Sequence, residues 1–197
     1  MAEISAAEIA KLRSKTGLPM MEVKAALMEA DGDEEKAIQI LRKSGMSKSE
    51  KRADKATSNG IIDCYVHSGR IGVLTEVLCE TDFVARNEDF KAFAHELSLQ
   101  IAASCPKYVE RSQVPAEEIA KEKEIYSEQA KSSGKPDAVT GKIVEGKLET
   151  YLAEICLLDQ PYFREPKKKV SDILAEIVAK TGEKIVISRF VRFELSC

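Results

Sequence analysis

Two runs of β-type residues joined by a short turn constrain the fold of this chain more than any other feature. Residues 61–67 and 71–80 are rich in β-branched and apolar side chains, and a Ser-Gly-Arg turn at residues 68–70 separates them. This pattern predicts an antiparallel hairpin. Residues 185–195 alternate in the same way and predict a further strand. Because so small a sheet needs other elements to cover it, the expected class is α+β, with about three antiparallel strands packed by helices.

Three short helical patterns precede the hairpin. The first begins with a capping box at Ser5 and is closed by Gly17. The second has Pro19 in its first turn, and the third is capped by Asp33 and is expected to end at Gly45. Each pattern carries apolar residues at helical spacing, so the helices can share one interior. We therefore predict an N-terminal three-helix bundle.

A charged segment separates this bundle from the hairpin. From residue 46 to residue 59 the apolar pattern disappears, and basic side chains mix with acidic ones. The segment is either a solvated linker or a charged extension of the third helix. We place the domain boundary here, with the three-helix module and its linker at residues 1–55 and the α+β core at residues 56–197.

The connection after the hairpin's second strand carries an unusual acid and aromatic pair, Asp82 and Phe83. Turns favour small or polar residues, and an exposed ring forfeits burial energy, so Phe83 either folds back into the core or enters a partner. The next helix, which Asn87 can cap, has its own inward-facing Phe90 and Phe93, and this favours the exposed role. Four residues keep no evident structural role: Thr81, Asp82, Phe83 and Val84.

The connection between the first two helices, residues 16–20, is unusually apolar. Leu18 and Met20 either fill the interior of the bundle or form a binding loop, and the sequence leaves both alternatives open.

Further helical patterns complete the core. Residues 115–130 predict a Glu/Lys-rich helix with few apolar anchors, which we expect to be peripheral, and residues 140–157 predict a helix that packs firmly on the sheet. After an aromatic connection at residues 159–163, a last helix begins near Val170 and is closed by Gly182.

Composition narrows the class of protein. Of 197 residues, 44% are hydrophobic and 32% charged, and the net charge is −3. This balance is typical of a soluble globular protein and argues against a nucleic-acid binder that depends on phosphate contacts. No apolar run approaches the roughly 20 residues of a membrane span, and the first residues show no signal region. We expect no direct nucleic-acid or membrane binding and a cytoplasmic location.

The cysteine and histidine residues form no catalytic or metal-binding pattern. The five cysteines are odd in number and irregularly spaced, so free thiols in a reducing compartment are expected. Cys64 and His67 have the spacing of metal ligands, but alternation along a strand points them to opposite faces. Cys79 is expected in the core, with a nucleophilic role beside His67 as the alternative. Phosphate-binding loops and nucleophile elbows are absent, so we predict no cofactor, no bound metal and no enzymatic activity.

Several stretches resemble the elongation factor Ts family, the guanine nucleotide exchange factors of elongation factor Tu. The most specific is Thr-Asp-Phe-Val-Ala-Arg-Asn at residues 81–87. The other matching stretches follow the family's order along the chain, at residues 12–13, 15–17, 20–21, 26–27, 32–33, 36–37, 144–147, 154–157, 159–161 and 189–194. The N-terminal bundle is similar to ubiquitin-associated domains, a type that binds many partners.

The resemblance implies a function through protein contact. The bundle would dock on the nucleotide-binding domain of elongation factor Tu, and Asp82 and Phe83 would insert beside the magnesium and phosphate site of that domain. GDP release would follow, so the partner is expected in its GDP-bound and nucleotide-free forms. The resemblance assigns insertion to Thr81, Asp82, Phe83 and Val84. It assigns docking to Leu12, Arg13, Thr16, Gly17, Leu18, Met20 and Met21.

The chain is shorter than the long members of this family, which carry a second core half and a helical-hairpin insertion. Residues 115–131 look too short for a long two-helix hairpin. A homodimer would supply the missing half, through the sheet or through the terminal segment with Cys197. Two alternatives remain open: an adaptor of the ubiquitin-associated type, binding through residues 1–55 alone, and a cysteine-dependent enzyme using Cys79.

Overall fold

The computed structural model describes residues 4–51, 54–132 and 137–195. It has the predicted α+β architecture. In chain order the elements are α1 (Ala6–Thr16), α2 (Met20–Glu29), α3 (Glu34–Lys51), β1 (Asn59–His67), β2 (Ile71–Cys79), α4 (Asp82–Ala85), α5 (Glu88–Ser104), α6 (Ala116–Ser132), α7 (Asp137–Ile155), β3 (Pro161–Tyr162), β4 (Glu165–Lys169), α8 (Val170–Thr181) and β5 (Val186–Glu194). None of the helices within the described residues is both long enough and apolar enough to cross a membrane.

The first three helices form the predicted bundle. Ser5 and Glu8 make a reciprocal capping box, and Gly17 closes α1 with a φ of 68°, a left-handed conformation that glycine adopts most readily. The interior of the bundle is apolar and includes one residue of α8: Ile9, Leu12, Leu18, Val23, Ala26, Leu27, Ala30, Ala37, Leu41 and Ala179.

Helix α3 continues through Gly45 as far as Lys51, so the prediction that it ends at Gly45 is wrong. A glycine inside a helix costs only about 1 kcal/mol relative to alanine, and the Lys and Glu residues that follow favour helix. The alternative of a charged helical extension is therefore confirmed up to Lys51.

Strands β1, β2 and β5 form one sheet in the order β1-β2-β5. Ser68 and Gly69, with φ values of 50° and 66°, make the turn between β1 and β2, and the amide of Arg70 donates to the carbonyl of His67 at 2.9 Å. Two successive positive φ values give the turn a twist that suits a hairpin. The predicted hairpin and the predicted third strand are thus confirmed.

One face of β2 carries the buried residues Val73, Thr75, Val77 and Cys79. The hydroxyl of Ser98 on α5 donates to that of Thr75 at 3.0 Å, which places α5 against this face. The apolar residues of α5 are buried as their spacing predicts: Phe90, Phe93, Ala94, Leu97, Ile101 and Ala102.

A second sheet, which no pattern in the sequence predicted, pairs β3 with β4 in antiparallel fashion. Strand β4 is mostly charged and β3 has two residues, so neither shows the alternation that predicts a strand. A buried pair of amides fixes this hairpin. Gln100 of α5 donates to the side chain of Gln160 at 3.1 Å and accepts from the amide of Phe163 at 2.9 Å.

Helices α6 and α7 pack against each other, so residues 115–131 do contribute to a two-helix pair. Helix α6 is peripheral, as expected, because most of its side chains are exposed, but it also has a polar anchor that its sequence did not predict. The Glu118 carboxylate accepts from the hydroxyls of Tyr108 and Tyr151, at 2.6 Å each, and forms an ion pair with Lys107. Leu148, Leu152 and Ile155 of α7 are buried in a cluster with Val114 and Cys156, so the apolar side of α7 is covered. The prediction that α7 packs on the sheet stays a prediction. The Ser, Gly and Pro residues at 132–136 predict a break after α6, and residues 133–136 lie outside the described residues.

The described residues divide into two compact units. One lies within Met1–Asp63, Glu76–Ala94 and Asp172–Ile187, and the other within Cys64–Thr75, His95–Ser171 and Ser188–Cys197. The boundary that we placed between residues 55 and 56 stays a prediction.

Candidate functional site

The ring of Phe83 is the most exposed large apolar side chain in the described part of the chain, with 81% of its surface accessible. It therefore does not fold back into the core. Phe83 lies on α4, a single helical turn that Thr81 caps by accepting the amide of Val84 at 3.4 Å. Beside it, Asp82 forms an ion pair with Arg86 at 3.0 Å. The turn thus presents an aromatic ring and an acid side by side.

The base of this turn is fixed by Glu183, in the loop after α8. The Glu183 carboxylate accepts from the main-chain amides of Glu80 and Thr81, at 3.2 and 3.0 Å, and from the Thr81 hydroxyl at 2.6 Å. In the reverse direction, the amide of Lys184 donates to the Glu80 carboxylate at 2.6 Å. The prediction that Thr81 has no structural role is therefore wrong. No sequence pattern pointed to Glu183, because its partners lie about a hundred residues earlier in the chain.

Two further contacts hold the same peptide groups. The side-chain amide of Asn59 donates to the carbonyl of Glu80 at 2.8 Å, and the thiol of Cys79 donates to the carbonyl of Thr81 at 3.2 Å. Each polar main-chain group of Glu80 and Thr81 therefore has a partner, since the carbonyl of Thr81 also accepts from Ala85 within the helical turn. The exposed ring of Phe83 therefore follows a segment, Glu80 and Thr81, whose main-chain groups are all hydrogen-bonded.

Cys79 itself is fully buried, which confirms its predicted place in the core. Burial, with the negative charge of Glu183 nearby, raises the pKa of the Cys79 thiol to about 11. A thiol with this pKa is protonated at neutral pH and is a poor nucleophile. These observations speak against the alternative of a cysteine-dependent enzyme.

The connection between α1 and α2 divides its side chains between the interior and the surface. Leu12 and Leu18 are buried in the bundle, whereas Met20 and Met21 are 51% and 74% exposed. The two open alternatives thus apply to different residues: Leu18 fills the interior and Met20 is available to a partner. The hydroxyl of Thr16 donates to the carbonyl of Leu12 and so stabilises the end of α1.

Arg13, Gly17 and Met21 of the predicted docking residues lie at or near the surface of the bundle. Arg13 has an exposed side chain, and its carbonyl accepts from the amide of Gly17 at 2.8 Å. The side chain of Lys180 passes close to Gly17. A Cβ atom built at Gly17 would lie only 2.8 Å from the Lys180 Cε. Arg13 and Met21 are therefore accessible to a partner, and Gly17 is also exposed, with the end of the Lys180 side chain beside it.

Cys64 and His67 do not form a shared metal site. Cys64 is exposed, and the Nδ1 atom of His67 is 2.9 Å from the hydroxyl of Tyr65, which lies on the same side of β1. Among the described residues, no group of three or more His, Cys, Asp or Glu side chains could hold a metal ion.

A second exposed apolar surface lies on the sheet. Strand β2 contributes Leu74, β1 contributes Val66, and Val191, Phe193 and Leu195 come from β5 and the residue after it. Phe193 is 68% exposed. We call these five residues the sheet patch. A solvated sheet face normally carries polar residues, so this patch has the character of a protein contact surface.

The two arginines of β5, Arg189 and Arg192, lie on opposite faces of the strand. The guanidinium of Arg192 donates to the carbonyl of Ala102 and pairs with Glu194. Arg189 is exposed on the face that carries Phe193.

Comparison with known proteins identifies a single family. The model of the family described as "Elongation factor TS" matches residues 6–196. An elongation factor Ts of Thermoanaerobacter sp. (strain X514) is 53% identical over 192 residues, which is 97% of this chain and 94% of the relative. One of Moorella thermoacetica is 52% identical, with 98% and 95% covered, and one of Desulforamulus reducens is 48% identical, with 99% and 90% covered. These relatives are therefore of similar length to this chain.

Proposed function

Because the chain belongs to the elongation factor Ts family and thus has its role in translation elongation, we propose that it is a guanine nucleotide exchange factor for elongation factor Tu. It acts by protein contact, in the cytoplasm, and carries out no chemistry of its own. The observation that carries the proposal is the exposed ring of Phe83 on a turn whose base is fully hydrogen-bonded.

In this mechanism, Asp82 and Phe83 insert between helices of the partner's nucleotide-binding domain, with Thr81 and Val84 beside them. An aromatic ring that is exposed in the free protein gains the burial energy of its apolar surface when it enters an apolar cleft. If the cleft is beside the magnesium and phosphate site, the insertion displaces groups that hold GDP. The magnesium ion belongs to the partner, so this chain supplies no ligand to it.

Thermodynamic reciprocity links the binding of this chain to the binding of GDP by elongation factor Tu. If this chain weakens the binding of GDP to elongation factor Tu, GDP must weaken the binding of this chain to elongation factor Tu in the same ratio. Each 1.4 kcal/mol of this coupling is about tenfold in affinity. The factor therefore releases GDP, stabilises the nucleotide-free partner, and is displaced when excess GTP binds.

The N-terminal bundle supplies the docking surface. Of the predicted docking residues, Met20, Met21 and Arg13 have exposed side chains, and Leu12, Leu18, Thr16 and Gly17 give the loop its shape. The bundle interior includes Ala179 of α8, so residues 1–55 alone would lack part of this interior. This observation favours the exchange factor over an adaptor that works through the isolated bundle.

We also propose that two copies of the chain associate through the sheet patch. The patch is apolar and exposed, and pairing two such faces would bury both, as in other sandwiches of two sheets. Cys197, the other element of the dimer hypothesis, lies outside the described residues.

Release of fluorescently labelled GDP from elongation factor Tu, followed by stopped flow with and without this chain, tests the proposed function. We expect the observed rate to rise with the concentration of the chain and to reach a plateau. A release rate that stays at its spontaneous value at every concentration of the chain would overturn the proposal.

A further inference from the structure

We infer that Glu183 is a positioning residue for exchange, which fixes the turn at Thr81 so that Phe83 is presented in one orientation. The inference rests on the proposed function and adds to it a residue outside both proposed contact regions. Glu183 is half-buried, in the loop after α8 and within the same compact unit as Phe83.

The geometry around the carboxylate carries the inference. One oxygen accepts from the amides of Glu80 and Thr81, and the other accepts from the Thr81 hydroxyl at 2.6 Å. The same Thr81 hydroxyl oxygen accepts the amide of Val84 and so caps α4. Glu183 therefore acts on the helical turn through the capping group itself, two residues before Phe83.

The reverse contact makes the attachment rigid. The Glu80 side chain accepts the amide of Lys184, so the two chain segments exchange hydrogen bonds in both directions. Segments joined by reciprocal hydrogen bonds are already ordered in the free protein. Binding to a partner therefore does not require the entropy cost of ordering them. A ring held in this way inserts without first being ordered.

Removal of the carboxylate has a specific consequence. In Glu183→Ala, the amides of Glu80 and Thr81 and the Thr81 hydroxyl lose a common acceptor, and the turn samples orientations that do not fit the cleft. Because only a fraction of bound complexes then carries Phe83 in place, the maximal release rate falls. A variant that was merely less stable would show a higher half-saturating concentration with an unchanged maximum, since its folded fraction would act normally.

The experiment measures labelled GDP release over a range of factor concentrations, at a temperature where every variant is folded by circular dichroism. We expect Glu183→Ala to lower the maximal rate about tenfold, and Glu183→Gln, which keeps one acceptor oxygen, to restore part of the loss. Glu35→Ala removes an exposed carboxylate from the same compact unit and should leave the maximal rate unchanged.

A double variant distinguishes the positioning of Phe83 by Glu183 from a general effect of the Glu183 substitution on exchange. In a Phe83→Ala background, adding Glu183→Ala should cause no further loss of maximal rate, because the ring that Glu183 positions is gone. Hydrogen exchange of the Thr81 amide should become faster in Glu183→Ala and stay slow in Glu35→Ala.

An unchanged maximal rate in Glu183→Ala, or a loss of the same size with and without Phe83, would overturn the inference while the proposed function stood. A wild-type chain that fails to accelerate GDP release would overturn the proposed function, and the inference with it.

Discussion

The side chain of Lys180 passes over Gly17, and its ammonium group lies 2.7 Å from the Asp89 carboxylate. A lysine of α8 thereby contacts both the end of α1 and the start of α5. Gly17 has two reasons to be glycine: its positive φ, and the Lys180 side chain that occupies the space of a Cβ atom.

Gly17→Ala should destabilise the fold more than Gly32→Ala. Both positions have a positive φ, which costs about 1–2 kcal/mol for alanine, but nothing lies within 4 Å of a Cβ atom at Gly32. At Gly17 the flexible end of the Lys180 side chain must also shift, which strains its partially exposed ion pair with Asp89 and adds up to about 1 kcal/mol. Urea unfolding measures both variants. If the inferred cause is right, the extra cost at Gly17 disappears in a Lys180→Ala background.

Phe83→Ala should slow the stimulated release of GDP about thirtyfold at limiting factor concentration, the effect of losing a contact of about 2 kcal/mol. Its thermal stability should change little, because the ring is exposed in the free protein. Phe163→Ala, which truncates a partly exposed ring in the other compact unit, is the control for exchange. A Phe83→Ala protein that exchanges normally would remove the ring from the mechanism.

Acid should weaken the protein partly through Glu118. The hydroxyls of Tyr108 and Tyr151 and the ammonium of Lys107 donate to its ionised carboxylate and lower its pKa from the ordinary 4.5 to about 2. A lowered folded-state pKa means that the stabilisation is present above pH 4.5 and is lost as the pH falls towards 2. Glu118→Gln should therefore reduce the free energy of unfolding at pH 6 and have a smaller effect near pH 2.5.

The matched control for this pH dependence is Glu117→Gln, an exposed neighbour on α6. Chemical unfolding at several pH values compares the three proteins. A difference between wild type and Glu118→Gln that stays constant from pH 6 to pH 2.5 would show that the carboxylate does not titrate as described.

Phe193→Asp should convert a dimer into a monomer if the sheet patch is the contact surface. A charge in the centre of an apolar interface must be desolvated without a partner, which opposes association. Light scattering at micromolar concentration measures the mass, in reduced and oxidised samples, and Ile125→Asp on the exposed side of α6 is the control. A wild-type chain that is monomeric under both conditions excludes the dimer.

Thiol alkylation should distinguish exposed from buried cysteines without loss of exchange. Cys64 and Cys105 are exposed and should react first, whereas Cys79 and Cys156 are buried, with pKa values raised mainly by burial. Mass spectrometry after timed labelling gives the order, and GDP release is measured on the same samples. Loss of exchange in step with the labelling of Cys79 would revive the enzymatic alternative.

Local features of the fold were predictable because their causes lie within a few residues. Ser5, Asp33 and Asn87 cap helices through side chains that accept amides two or three residues later. Gly69 permits the hairpin turn by its own φ, and the apolar spacing of α5 selects the face that is buried. The exposure of Phe83 followed from the same reasoning, since Phe90 and Phe93 already fill that interior.

Other features escaped prediction because their residues have many possible uses. Glutamine is usually exposed, so the buried pair Gln100 and Gln160 that holds the second hairpin had no sequence signal. Glu118 is one of several acids in a Glu/Lys-rich helix, and nothing in the sequence distinguishes it from the others. Only the folded chain brings the hydroxyls of Tyr108 and Tyr151 to its carboxylate.

The sequence by itself thus determined the α+β class, the three-helix bundle, the hairpin and the exposed Phe83, because periodicity, caps and turn conformations act over short distances. Only the tertiary structure decided what holds that ring in place. Glu183 lies 102 residues after Thr81 in the chain, and the loop that follows α8 brings the two into contact. A carboxylate has no preferred partner until folding supplies one, so this contact could be found only in the folded chain.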